Sequence, residues 1–171
     1  PIPPEKFVLG ASVQSAQLAA QSDWNFIFAA HLNGDKALLH DVLSFWQTHS
    51  ARPTIVAVQV IVADSYDTAA QLAENVQIWG VELEDGQRVT VASEEQALAF
   101  AAQSGSPPRK IARREQALLH GTAQEVMAKL NALHTQFGID EFIIDTPVAQ
   151  GHARLTSLRL LAQAHNAVEV L

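Results

Sequence analysis

The sequence predicts an α/β protein: a mainly parallel sheet covered by helices. Two observations lead there. Short, continuous apolar runs rich in Val, Ile and Phe alternate with segments whose apolar residues recur at helical spacing. The chain of 171 residues, 48% hydrophobic and 17% charged, is long enough to bury a core and too apolar to remain disordered.

The elements follow in order. "KFVLGA" (Lys6 to Ala11) reads as a short buried strand, followed by a helix from about Ser15 to Ser22. "NFIFAAHL" (Asn25 to Leu32) is the second strand. Asp35 opens a helix whose apolar face is Leu38, Leu39, Val42, Phe45 and Trp46. Pro53 breaks the chain before a third strand, "TIVAVQVIVA" (Thr54 to Ala63). Asp64 or Ser65 then caps a helix expected over "DSYDTAAQLAENVQIW". Capping-box patterns at Ser93 and Thr122 start two more helices. The second of these runs through Val126, Leu130, Leu133 and Phe137 to a stop at Gly138. "EFIIDTP" (Glu141 to Pro147) is the fourth strand, and a last helix spans about Arg154 to Ala164. Residues 80–121 interrupt this rhythm. Asp85-Gly86 suggests a hairpin, and Ser104 to Gly121 reads as an exposed loop of the kind that forms mobile lids.

Several classes are excluded or disfavoured. A net charge of −7 and a pI near 5.4 disfavour nucleic acid as a partner. The absence of cysteine removes disulfides, thiolate catalysis and cysteine zinc sites. The longest apolar run is half the length of a membrane helix, and "PIPPEKF" lacks a signal-peptide pattern, so no membrane and a cytoplasmic location are the expectations. The chain opens on Pro1 and its sole methionine is Met127, as expected of a trimmed or partial chain.

The first strand's end is the principal candidate site. Gly10 and Ala11 leave room for close approach, and Ser12 and Ser15 are placed to meet an anion at the first turn of the helix, where unpaired N–H groups and the positive dipole end lie. A phosphate monoester suits this better than a carboxylate. The competing reading is structural: Ser15 caps the helix and Ser12 sits in the turn. His31 ends the second strand, either beside a ligand or as a hydrogen-bonded edge histidine. Glu141 and Asp145 bracket the last strand, read as a helix-facing charge and a turn residue. Arg109, Lys110, Arg113 and Arg114 form a solvated face or meet a phosphate-bearing partner. The seven histidines show no ligand spacing, so no metal is expected.

Five motifs in four stretches, in order, resemble the bacterial luciferase-like, flavin-dependent monooxygenase family. They are "FVLGASVQSAQLAAQSDWNFIFAAHL", "VIVADSYDTAAQLA", "HGTAQEVMAKLNALHTQFGIDEFIIDTP" with its Gly-Thr and Asp-Glu, and "GHARLTSLRLLAQA", the first supplying two motifs. The resemblance implies a (β/α)8 TIM barrel of which residues 1–171 form the C-terminal half, strands five to eight, as a single half-barrel with an excursion at about 80–121. It implies an oxidoreductase using reduced FMN, oxygen and a small-molecule substrate. It places the flavin phosphate at Gly10, Ala11 (backbone), Ser12 and Ser15, with His31 near the ring. The segment from Thr146 to Arg154 is a second phosphate candidate, because barrels often bind phosphate after strands seven and eight. The resemblance implies that the catalytic groups lie largely in the absent half, that the partner is a missing N-terminal half-barrel or another copy, and that the chain alone is inactive. A non-catalytic flavin-binding protein and an unrelated phosphate-binding barrel enzyme remain as alternatives.

Overall fold

The computed structural model describes residues 3–31, 34–114 and 117–168. The chain divides into two compact units, Pro1–Ala73 with Ala117–Leu171, and Glu74–Gln116.

The first unit holds a mainly parallel sheet. Strand β1 (Phe7–Gly10) leads through helix α1 (Val13–Gln21) to β2 (Asn25–Ala29), then through α2 (Lys36–His49) to β3 (Ile55–Val62), which is followed by α3 (Tyr66–Glu74). The later part supplies β7 (Leu118–Gly121), α5 (Ala123–Phe137), β8 (Glu141–Asp145) and α6 (Gly151–Val168). β1, β2 and β3 pair in order, all parallel. β8 pairs with the first half of β3, and β7 with the second half. The second unit is an antiparallel sheet, β4 (Ile78–Leu83) between β5 (Arg88–Val91) and β6 (Pro108–Arg114), with α4 (Glu94–Gln103) packed on Val81 and Leu83 through Ala97.

Strand alternation assigns the two faces of the parallel sheet. Val8, Phe26, Phe28, Val56, Val58, Val60 and Val62 share one core with Ala16 and Ala19 of α1, Leu39, Val42 and Trp46 of α2, Val126 and Leu130 of α5, and Leu161 of α6. These four helices therefore lie on the same face. Phe26 and Trp46 are fully buried there, with ring centroids 5.5 Å apart. Each contributes about 1.5–3 kcal/mol of hydrophobic stabilisation. The opposite face carries Phe7, Leu9, Ile27, Ile55, Ala57, Ile61 and Ile143. Three of these, on the outer strands β1 and β8, are exposed: Phe7 45%, Leu9 56% and Ile143 40%.

The N-terminal ends of the strands are tied together. Arg52 donates to the Asp23 carboxylate and carbonyl, both at 2.9 Å, and to Asn25 at 3.3 Å. The backbone N–H of Thr54 reaches the Asp140 carboxylate at 2.7 Å. At the far end of α5, Gly138 adopts a left-handed φ of 63°, as a helix stop requires.

Several expectations need correction. α1 starts at Val13, not Ser15, because Ser12 is its N-cap. The helix expected to reach Trp79 ends at Glu74, and Ile78 and Trp79 enter β4, pairing with Arg114 and Val91. The stretch Ser104 to Gly121 is not a loop: Pro108–Arg114 pairs with β4 and Leu118–Gly121 with β3, so the parallel sheet has five strands rather than four. The last helix begins earlier, at Gly151. Leu32, the end of the second expected strand, lies outside the described residues.

Candidate functional site

The turn from β1 into α1 is built around Ser12. Its backbone is extended (φ −147°, ψ 156°), and its Oγ accepts the Ser15 N–H at 3.2 Å. The two hydroxyls lie 2.9 Å apart, so one donates to the other. This leaves one of the two hydroxyl protons unused within the pair. The N–H groups of Val13 and Gln14 add two donors, since the first turn of a helix has no intrahelical acceptor for them. No acidic side chain occupies that turn, in contrast to α5, where Glu125 closes a capping box on Thr122. The end of α1 thus presents hydrogen-bond donors and a positive dipole with no internal anion to answer them.

Gly10 has a different role from the one expected. A Cβ on it would lie 2.5 Å from both Cβ and Oγ of Ser15. The glycine makes room for Ser15 rather than directly for a ligand. The structural reading of the serines is also reassigned: Ser12 is the cap, and Ser15 lies inside the first turn.

His31 lies two residues beyond β2, with its backbone N–H on the Ala57 carbonyl at 3.2 Å. Among the described residues, its Nδ1 and the Thr146 Oγ1 are buried polar side-chain atoms without a hydrogen-bond partner. Both residues follow the C-terminal ends of parallel strands, the end where ligands of α/β enzymes bind. Arg154, in the second phosphate candidate, is exposed and donates to the carbonyls of Val148 and Ala149.

The remaining candidates are placed as follows. Glu141 is not helix-facing and Asp145 is not in a turn. They sit in register with Ile55 and Gln59 on the face away from the helices. Asp145 accepts a hydrogen bond from the Gln59 amide at 2.9 Å. In the second unit the basic residues run along the edge strand β6. Arg113 pairs with Trp79 and Arg114 with Ile78, so neighbours alternate between the two sides of that sheet. Arg88 binds Glu82 at 3.0 Å and Arg109 approaches it at 3.7 Å. The Arg88 hydrogen bond is the chief cause that holds the Glu82 carboxyl below the usual carboxylate range. A groove of about 610 Å³, lined by Met127, Leu130, His134, Phe142 and Leu158 among others, opens on the helix side of β8. Among the described residues no helix is long and apolar enough to cross a membrane.

Gln59 is the residue that sequence reasoning missed: it stands out only as the one polar residue within "IVAVQVIV". Thr146 opens the second phosphate candidate, Thr146 to Arg154.

The β1–α1 turn lies at the C-terminal rim of a parallel α/β sheet, the rim at which such sheets bind their ligands. Comparison with known proteins adds the following. No family model matches the chain. The chain is 30% identical over 165 residues to the N-acetyl-S-alkylcysteine monooxygenase of Bacillus subtilis (strain 168), covering 94% of the chain and 49% of that protein. The fold is shared with the monooxygenase RslO1 from Streptomyces bottropensis, with a TM-score of 0.63, 17% identity, and coverage of 97% of the chain and 48% of that protein. It is shared also with a type II Baeyer–Villiger monooxygenase, the oxygenating constituent of the 3,6-diketocamphane monooxygenase of Pseudomonas putida, solved with FMN. That match has a TM-score of 0.51 at 16% identity and covers 94% of the chain and 49% of the enzyme. The chain spans about half the length of the curated relatives it matches. The three proteins described above are monooxygenases by name, which agrees with the coarser part of the family resemblance.

Proposed function

We propose that this chain is the flavin-phosphate half of an FMN-dependent monooxygenase of the luciferase-like kind, a C-terminal half-barrel that the other half of the protein closes. The observation that carries this reading is the β1–α1 turn. The hydroxyl proton that the Ser12–Ser15 pair leaves unused and the N–H groups of Val13 and Gln14 form a donor set suited to a phosphate monoester, and Gly10 lets Ser15 pack beside Ser12. Similarity to named monooxygenases along nearly the whole chain, at about half their length, supports the rest.

In this reading Ala11 (backbone), Ser12 and Ser15 hold the phosphate, and Gly10 makes room for Ser15. The donor set fits the group: it offers several directed N–H and O–H bonds and no competing carboxylate. FMN, when bound and reduced, supplies the electrons with which dioxygen delivers one oxygen atom to a small-molecule substrate and the other to water. The chain's own contribution is binding and water exclusion. The apolar inner face of β1, β2, β3 and β8 walls the pocket once closed, and His31, with an unanswered Nδ1, is positioned at its rim to receive a ligand hydrogen bond.

The test compares FMN with riboflavin in the complete protein. FMN should bind more tightly, and Ser12→Ala with Ser15→Ala should weaken FMN binding about tenfold or more while sparing riboflavin. One hydroxyl bond to a charged phosphate is worth about 1.5–3 kcal/mol. Equal losses for both ligands would make the serines helix caps and nothing more.

A further inference from the structure

Across the inner face of the parallel sheet, registered residues form levels: Leu9, Ile27, Ile55 and Glu141; then Ala29, Ala57 and Ile143; then Gln59 and Asp145. The last level interrupts the apolar surface with one hydrogen-bonded pair. The Gln59 amide nitrogen donates to Asp145 Oδ2 at 2.9 Å, so the nitrogen of that amide is turned toward the carboxylate. The pair therefore leaves two acceptors, Asp145 Oδ1 and Gln59 Oε1, against one further Gln59 N–H, and carries a net negative charge. Glu141 stands on the same face, four residues and about 13 Å down the strand. The registered inner positions of β1, β2, β3 and β8 include no lysine or arginine.

The pair is also at the right separation to meet a substrate rather than the phosphate. Asp145 lies on the third strand from β1, about 14 Å away at a strand spacing of about 4.8 Å. A nucleotide anchored at Ser12 leaves that region for its ring end and the molecule bound against it.

We propose that Asp145, held by Gln59, selects the substrate, and that it selects a protonated amine over a carboxylate; this rests on the closed-pocket reading above. An ammonium supplies the donors that the two acceptors lack and balances the carboxylate in a surrounding where charge is costly when unpaired. A substrate carboxylate in the same place faces two acceptors and a like charge. Gln59 acts as a positioning residue, fixing which carboxylate oxygen is free.

The experiment measures, by titration calorimetry on the complete protein, three benzyl thioethers differing in the end group alone: S-benzylcysteamine, S-benzyl-mercaptoethanol and S-benzyl-thioglycolate. The amine should bind at least about tenfold more tightly than the carboxylate, with the alcohol between. Asp145→Asn should abolish that preference, and Gln59→Leu should reduce it while Gln59→Glu, which adds a second carboxylate, keeps or raises it. Carboxylate binding equal to or tighter than amine binding overturns the proposal, as does an unchanged ratio in Asp145→Asn. Calorimetry reads the end-group preference whether or not flavin is bound. Loss of the FMN-over-riboflavin difference sinks the flavin reading separately.

Discussion

Gly10 and Ser15 define the site at the scale of single residues. The Ser15 side chain occupies the space that a Cβ on Gly10 would fill, at 2.5 Å from two of its atoms. Gly10→Ala should therefore cost about 1–3 kcal/mol through overpacking, read as a lowered thermal midpoint. Combining it with Ser15→Gly should recover part of that loss, a coupling that a double-mutant cycle detects. Additive losses would mean that the two positions do not touch. The serine pair was visible in the sequence as a pair, but the division of roles was not. Both residues are good caps, three apart, and only the extended backbone at Ser12 decides which one stops the strand. The Gln59–Asp145 pair was hidden for a different reason: its members are 86 residues apart and meet only through the pairing of β3 with β8.

Among the elements, α5 shows how local chemistry specifies a boundary. Thr122 Oγ1 accepts the Glu125 N–H, and the Glu125 carboxylate accepts the Thr122 N–H at 2.8 Å. That backbone hydrogen bond first, and the Thr122 hydroxyl second, hold the Glu125 carboxyl below the usual carboxylate range. Because the folded-state value is the lower one, the stabilisation is present above the ordinary range and is lost as pH falls through the depressed value. Hydrogen exchange in the first turn of α5 should accelerate in that acid window, and Glu125→Gln should remove the pH dependence. Thr122→Ala should cost about 1 kcal/mol at neutral pH. This helix was legible throughout, from its Thr-x-x-Glu start to its glycine stop, and so were the long apolar strands β2 and β3. The edge strand β6 was not. Its "PRKIARR" puts charge on both sides, which blunts an edge against foreign pairing but erases the alternation that marks a strand. The four-residue β7 is too short to show a period, and α3 ends without a glycine or proline to announce it.

For the whole molecule, the feature to account for is that α1, α2, α5 and α6 cover one face of the sheet. Parallel sheets are almost always covered on both faces, yet the exposed Phe7, Leu9 and Ile143 leave apolar surface on the strands at either side of this one. Among the described residues β1 pairs only with β2 and β8 only with β3, so each has one unpaired side there. Closure of a barrel by the other half of the protein would pair both edges and turn the open face into a pocket. Hydrogen–deuterium exchange on the complete protein, resolved to single amides, tests this most directly. Within Phe7–Gly10 and Glu141–Asp145 it separates the amides that bond to β2 and β3 from those that point away from the sheet. Closure requires slow exchange at both sets. Rapid exchange confined to the outward-pointing amides of both strands would show two free edges and contradict the half-barrel.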